Sequence, residues 1–328
     1  MQKWLSSVLL VLALATIAWF AAPLMPINAT LLALIIGFVV GQILPVSQQP
    51  GVRWFESHGL GFAVALLGVQ FSLSTLLAIE VQALVLIVSS LVLTFMVTWV
   101  MLRLTHGDSA SGWLVASGQG ICGSAAVMAV QKAAKAPVVQ AALVVAVINF
   151  LGFLGVFVTP LLINALGLSD PTAIGLMLGN TLQSMGHVVA ASSIYPEPVI
   201  QMAVWVKMCR ILFLVPVLFI ALWYFAANSQ EQQPEKPSWW RLVPWFIWVF
   251  VLLLVVANVF ELPQTIIDWF SWLSEVLFVL AMVAIGMAVR LRDLWQHGGR
   301  LLLLAAGVFT VQLVFNGWLL HSQFLTNG

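Results

Sequence analysis

Long runs of apolar residues, separated by short polar segments, dominate this chain. Eleven runs are long enough to be membrane-spanning helices, which need about 20 mostly apolar residues. They cover residues 5–22, 30–44, 58–77, 81–102, 111–130, 138–166, 172–193, 199–227, 243–260, 272–289 and 301–320. Irregular backbone is not stable against lipid, so the runs are predicted to be helices packed on one another. The pattern predicts an all-α membrane protein with about ten or eleven transmembrane helices.

The composition supports the bilayer as the main partner of the chain. Of its 328 residues, 62% are hydrophobic and 7% are charged, against about 25% charged residues in soluble domains. The chain has no basic run or nucleic-acid-binding motif, which excludes nucleic acid as a partner. Residues 5–22 also have features of a signal peptide, but the run is long for one and we expect it to be retained.

The basic residues predict the orientation. If the N-terminus is cytoplasmic, eight of them lie inside and two outside, as the positive-inside rule requires of a bacterial inner-membrane protein. The inside group is Lys3, Arg53, Arg103, Lys236, Arg241, Arg290, Arg292 and Arg300, and the outside group is Lys132 and Lys135.

Two ten-residue segments resemble each other. Residues 67–76 end the third run and residues 285–294 end the tenth, and each is followed by another apolar run. An odd separation of seven spans gives the segments opposite orientations, which is typical of inverted-repeat transporters. The alternative is a chance match.

The fifth run contains three glycines near its middle, at Gly118, Gly120 and Gly123. Each glycine inside a helix costs roughly 1 kcal/mol relative to alanine, so the group favours an interruption whose exposed amides face a polar ligand. The alternative is a small-residue packing seam between helices. The candidate ligand-binding residues here are Gln119, Gly120, Cys122, Gly123 and Ser124.

The seventh run carries a second polar cluster, in which Asn180, Gln183 and His187 are the candidate ligand-binding residues. A single histidine in a span is most often a packing residue. Thr181 and Ser184 add hydroxyl groups within two turns, however, and the cluster as a whole favours a polar cavity. His187 could also relay protons, because its ordinary pKa is near the working pH.

Lys207 and Arg210 stand three residues apart in the eighth run and therefore share one helix face. Each costs about 2.5–3.5 kcal/mol at the bilayer centre unless it faces a cavity or a partner. The functional interpretation is an anion-selective site. The alternatives are snorkelling to the interface, or compensation by the carbonyls of an interrupted helix.

Enzyme motifs are missing from the sequence. It contains no nucleotide-binding loop, no His-Glu-x-x-His and no Gly-x-Ser-x-Gly. We therefore expect no enzymatic activity, no cofactor and no metal site. Coupling to protons or sodium ions stays open.

Cys122 and Cys209 lie in apolar runs and are expected to be unpaired.

Several of these segments together resemble the YeiH-type sulfate exporter family. The segments are residues 120–126, 186–191, 207–210 and 286–294, and the likeness runs from the second span to the C-terminus. The resemblance implies a fold like that of bile-acid symporters and cation/proton antiporters, with inverted repeats, interleaved panel and core subdomains, and interrupted helices. The chain has Val188 where the family has an acidic residue after the histidine, and Gln70 where it has a basic one.

The sequence as a whole predicts a single transporter domain that moves a small, anionic solute such as sulfate, a sulfonate or a carboxylate by alternating access. The expected site lies between the interrupted fifth and seventh runs and the basic pair. A passive anion channel and a membrane-embedded sensor are the alternatives. A homo-oligomer is compatible with the sequence.

Overall fold

A computed structural model of the chain describes residues 2–24, 28–44, 49–70, 81–104, 106–227, 245–260, 262–292 and 298–325. These residues form helices joined by short turns and contain no strand. Six helical stretches in the described ranges are long and apolar enough to cross a membrane, and two shorter apolar helices accompany them. One of the six, Glu197–Phe225, is divided into two helices by a single turn residue, Phe213. The predicted all-α membrane protein is therefore confirmed.

The helices are numbered here in chain order. They are α1 (Gln2–Ala21), α2 (Ala29–Ile43), α3 (Pro50–Trp54), α4 (Leu60–Leu67), α5 (Val81–Leu104), α6 (Ser109–Ser117), α7 (Ser124–Ala134), α8 (Val138–Ala165), α9 (Pro171–Thr181), α10 (Met185–Ser192), α11 (Glu197–Leu212), α12 (Leu214–Ala227), α13 (Trp245–Val259), α14 (Gln264–Ala288) and α15 (Gly299–Leu325). Two π-helical turns, Phe55–Gly59 and Gly118–Cys122, continue α3 and α6 respectively.

Three predicted spans are divided in the structure. The fifth becomes α6 and α7, the seventh becomes α9 and α10, and the eighth becomes α11 and α12. The predicted tenth span begins too late, because α14 starts at Gln264 instead of residue 272. Polar side chains in the first turns of this helix interrupt the apolar run from which the span was predicted.

Several predictions fall wholly or partly outside the described residues. They concern residues 71–77 of the third span and residues 243 and 244 of the ninth, together with residues 71–76 of the first repeat copy and 293–294 of the second. Lys236 and Arg241, used for orientation, also lie outside them. The inverted repeat and the interleaved subdomains stay predictions.

The chain separates into two compact units. The first comprises Met1–Val81, Ser193–Tyr195 and Pro244–Leu291. Its centre is the packing of α2 on α14, where a side chain at Gly37 would collide with the Val283 backbone. Gln42 secures the end of α14, since its Nε2 donates to the Val289 carbonyl at 2.6 Å and its Oε1 accepts from Leu291 N at 3.1 Å. Small residues thus let two helix backbones touch.

The second unit comprises Gln82–Ser192, Pro196–Val243 and Arg292–Gly328. Here α9 packs closely on α11, and a side chain at Gly179 would collide with the Ala203 carbonyl. This close approach brings the basic residues of α11 to the C-terminal end of α9. All ten predicted ligand-binding residues belong to this unit.

Candidate functional site

The first helix interruption is at Gly123. The π-helical turn Gly118–Cys122 ends there, and Gly123 adopts φ 70° and ψ −128° before α7 begins. L-residues with a side chain rarely adopt this conformation, so the position favours glycine. The predicted interruption is confirmed, and its role in ligand binding stays a prediction.

The second interruption covers residues 182–184. α9 ends at Thr181, Leu182 is extended with φ −72° and ψ 142°, and α10 begins at Met185. Ser184 caps α10, because its Oγ accepts a hydrogen bond from His187 N at 3.3 Å. A side chain at Gly123 would lie 3.4 Å from Ser184 Cβ. The two interruptions are therefore in contact, and we call this point the crossing.

Arg210 binds the carboxyl ends of two helical segments at the crossing. Its Nη2 donates to the Gln119 and Gly120 carbonyls at 2.8 and 2.6 Å, and its Nε donates to Gly120 at 2.9 Å. Its Nη1 donates to the Gly179 carbonyl at 3.3 Å and to the Asn180 carbonyl. A helix C-terminus carries about half a negative charge, which a cation stabilises.

Lys207 also donates a hydrogen bond to a backbone carbonyl at the crossing. Its Nζ donates to the Leu182 carbonyl at 2.5 Å, just beyond the end of α9. Lys207 and Arg210 are 0% and 1% exposed, so the snorkelling alternative is wrong. Carbonyls of the interrupted helices are the partners seen for both cations, and direct contact with an anion stays a prediction.

The amino ends at the crossing have a different environment. α7 begins without a side-chain cap at Gly123, and its first residues Ser124 and Ala125 are partly exposed. The carboxylates described in this unit are elsewhere: Asp108 and Asp170 cap α6 and α9, and Glu197 opens α11. Neither amino end is paired with a carboxylate within the described residues, although each carries about half a positive charge.

Gln119 and Gln183 connect the two interruptions through their side chains. Gln119 Nε2 donates to the Ala305 carbonyl of α15 at 3.0 Å, which turns Gln119 Oε1 toward Gln183. Gln183 Nε2 then donates to that oxygen at 2.8 Å. Gln183 Oε1 is buried and has no hydrogen-bond partner among the described residues.

His187 lies beside the second interruption. Its Nδ1 is 2.8 Å from Ser184 Oγ, and its ring packs directly against Gly152 of α8. Ser184 Oγ also accepts the His187 amide, and a hydroxyl has two acceptor sites and one proton, so it can pair with either tautomer of the ring. Nε2 is buried and has no partner among the described residues. His187 thus presents a buried polar atom, which is a donor when Nε2 carries the proton.

Asn180 extends the site into polar residues that the sequence analysis missed. Its Nδ2 donates to Asn316 Oδ1 at 2.6 Å, and Asn316 Nδ2 donates to Ser90 Oγ at 3.1 Å. Gln312 Nε2 donates to Thr94 Oγ1 at 2.6 Å. One pattern in the sequence could have identified these residues. Polar residues four apart, at 90 and 94 and at 312 and 316, share one helix face within apolar runs.

Cys122 is the predicted site residue with the weakest support. It ends the π-helical turn, is 8% exposed and forms no disulfide. Within the described residues, no group of three or more His, Cys, Asp or Glu side chains could hold a metal ion. The groups gathered at the crossing are amides, hydroxyls, carboxamides, one imidazole and two cations.

Comparisons with known proteins match most of the chain. Residues 6–305 match the family described as Conserved hypothetical protein 698. The UPF0324 inner membrane protein YeiH of Salmonella typhimurium is 28% identical over 88% of this chain and 84% of its own length. A UPF0324 membrane protein of Pseudomonas putida is 30% identical over 89% and 83% respectively, and one of Bacillus cereus is 29% identical over 81% and 77%. No solved structure matches.

Proposed function

The chain belongs to this family of membrane proteins, and we propose that it is a secondary transporter of a small anion, not an enzyme. The proposed site is the crossing. Its accessible portion is the amide end of α7 at Ser124 and Ala125, supported by Gln119, Gln183 and His187. Discontinuous helices with their amino ends directed at an anionic group are one way in which transporters bind substrate at mid-membrane.

The observation that carries this proposal is the charge of the crossing. Two helix carboxyl ends and two amino ends meet there, and their partial charges of about one half roughly cancel. Arg210 remains protonated in proteins, and Lys207 adds a second positive charge when protonated. The described carboxylates of this unit are engaged at other helix starts. A bound anion would therefore improve the charge balance, whereas a bound cation would worsen it.

Sulfate, small sulfonates and small carboxylates are the proposed substrate class. Each presents several acceptor oxygens to the amides of α7, and His187 can donate to them when its Nε2 carries the proton. The name of the Salmonella relative states only an inner membrane protein, so the substrate is proposed from the chemistry of the crossing. Location in a bacterial inner membrane with a cytoplasmic N-terminus is part of the same proposal.

Counterflow in proteoliposomes tests this function. Vesicles preloaded with unlabelled sulfate, a sulfonate or a carboxylate should accumulate the same labelled anion transiently, with a rate that saturates. Unsaturable flux without counterflow would indicate an anion channel. Absence of both flux and binding for the whole anion set, together with a stable fold, would contradict anion transport.

A further inference from the structure

The second unit carries a cavity that the proposed function does not use. It is formed by the C-terminal part of α5, the first turns of α6 and Tyr224 of α12, and its volume is about 890 Å³. This is within the range of about 300–1,000 Å³ that is typical of small-molecule sites. Trp99 and Met96 on its rim are 55% and 62% exposed, so the cavity is open to the surroundings of the protein.

The inner wall of the cavity is aromatic. Trp113 stands at its centre, with ring centroids 5.6 Å from both Phe95 and Tyr224. Packed rings form a rigid apolar wall that offers contact area without a large loss of side-chain entropy. This wall favours an apolar chain over a hydrated ion.

The mouth of the cavity is basic. Arg103 ends the apolar helix α5, and its guanidinium lies 3.7 Å from the ring centre of Trp99. His106 and Ser109 also line this end. The nearby carboxylate Asp108 accepts hydrogen bonds from Gln140 and from the Ser111 amide. Arg103 has no ion pair among the described residues, so its charge is available to an anionic group.

An apolar groove continues from this cavity along α5. It has a volume of about 580 Å³, and Met96 lines both it and the cavity. The groove is bounded by Leu84, Val88 and Val92 on α5 and by Phe315 on α15. The cavity and the adjoining groove, together called the depression, therefore have one basic, aromatic end and one end that is apolar except for Ser89.

The depression is long enough to hold a lipid chain along α5. Arg103 and Leu84, which line its two ends on α5, are nineteen residues apart, which is about 28 Å at 1.5 Å per residue. The hydrocarbon core of a bilayer is about 30 Å thick, so a lipid with its headgroup at Arg103 has room for its acyl chain along the depression. A tryptophan and an arginine at the end of an apolar helix are typical of the membrane interface.

From this geometry we propose that the depression binds an anionic phospholipid. An acyl chain occupies the aromatic cavity and the adjoining part of the groove, and the phosphate accepts hydrogen bonds from Arg103. The planar guanidinium matches a phosphate oxygen pair, and Trp99 holds it in position. His106 and Ser109 lie where they can contact the rest of the headgroup. This proposal is independent of anion transport at the crossing.

Lipid binding to the purified full-length protein tests the proposal. Phosphatidylglycerol or phosphatidylcholine of matched chains is added to delipidated protein in detergent, and retained lipid is counted by native mass spectrometry. We expect wild type to retain phosphatidylglycerol in preference to phosphatidylcholine. Arg103→Gln should weaken phosphatidylglycerol binding about tenfold or more, as expected for the loss of one charge-assisted hydrogen bond. The matched control Arg300→Gln, at an exposed side chain outside the depression, should bind like wild type.

Two further measurements locate the lipid. Phosphatidylglycerol brominated on its acyl chain should quench tryptophan fluorescence in wild type, and the quenched fraction should fall in Trp113→Phe, a conservative change that preserves the fold. Soluble glycerol phosphate should not compete at the concentrations that suffice for the lipid. Equal retention of both lipids, unchanged binding in Arg103→Gln, unchanged quenching in Trp113→Phe, or full competition by glycerol phosphate would each overturn the proposal.

Discussion

Arg210 joins segments that are far apart in sequence, since its partners Gly120 and Gly179 precede it by 90 and 31 residues. A role in anion selectivity alone predicts that Arg210→Gln weakens anion binding and leaves the protein folded. The contacts now favour a different result, because the substitution leaves several buried carbonyls without a donor, at about 1–3 kcal/mol each. We expect a loss of at least about 3 kcal/mol in unfolding free energy.

Thermal or chemical unfolding of purified protein measures this loss. Arg300→Gln, at an exposed side chain, is the matched control and should change stability by less than about 0.5 kcal/mol. Equal stability of Arg210→Gln and wild type would show that the carbonyl contacts contribute little. Anion affinity, measured on whatever Arg210→Gln protein remains folded, then reports separately on a role in binding.

His187 has a fully buried imidazole, and its Nδ1 lies 2.8 Å from Ser184 Oγ. If the imidazole relays protons, His187→Gln should retain a hydrogen-bonding side chain but flatten the pH dependence of transport between about pH 5.5 and 7.5. Transport rates across this range measure the effect. His321→Gln, a histidine near the end of α15, is the control. If the pH dependence of the transport rate is unchanged in His187→Gln, the imidazole has only a structural role.

At the scale of single elements, the interruption between α6 and α7 depends on Gly123, whose positive φ favours glycine and which lies beside Ser184. Gly123→Leu should abolish counterflow, because its side chain would enter the crossing beside Ser184. Gly167 is a matched control, since its φ of 66° is almost the same as the 70° of Gly123 but a Cβ at this position would meet no atom within 4 Å. Gly167→Leu also places a side chain at a positive φ and should still transport. Wild-type flux in Gly123→Leu would indicate that this segment only packs helices together and does not line the ligand site.

The start of α6 depends on Asp108. Burial raises the pKa of its carboxyl group, but hydrogen bonds from Ser111 and Gln140 outweigh burial and the net pKa is lowered. The stabilisation is therefore present above the unfolded-state pKa of about 4 and is lost as pH falls through the lower folded-state value. Asp108→Ala should cost about 0.5–2 kcal/mol at neutral pH, the usual effect of removing an N-cap.

Melting temperatures between pH 3 and pH 8 measure this dependence. The difference between wild type and Asp108→Ala should be constant at neutral pH and should shrink at the acidic end. Asp268→Ala, at a surface carboxylate of α14 that pairs with Gln264, is the control for a general charge effect. A difference that grows on acidification would contradict the assigned sign.

At the scale of the whole molecule, orientation in the membrane is the clearest open prediction. With a cytoplasmic N-terminus, Lys132 lies outside and Arg300 inside. Of the native cysteines, Cys122 is buried and Cys209 is partly exposed, so unsubstituted protein is the labelling control. A membrane-impermeant thiol reagent applied to intact cells should label Lys132→Cys but label Arg300→Cys only after the membrane is opened. The reverse pattern would invert the topology.

The sequence predicted the helices and both interruptions, because apolar runs and grouped glycines are local signals. It placed Lys207 and Arg210 on one buried face but did not identify their carbonyl partners. Those partners depend on α6, α9 and α11 meeting, which local patterns do not specify. Asn316 and Gln312 were missed for the same reason, since an isolated polar residue in an apolar run acquires its role only from the helix opposite.

The contacts of Arg210 also have a consequence for hydrogen exchange. One guanidinium bonds to the carbonyls of both interrupted helices, so the amides near Gly120 and those near Asn180 should not become accessible separately. They should exchange with one common opening free energy, as a single cooperative group. In Arg210→Gln the two sets should exchange at different rates, with the glycine-rich segment near Gly120 opening first.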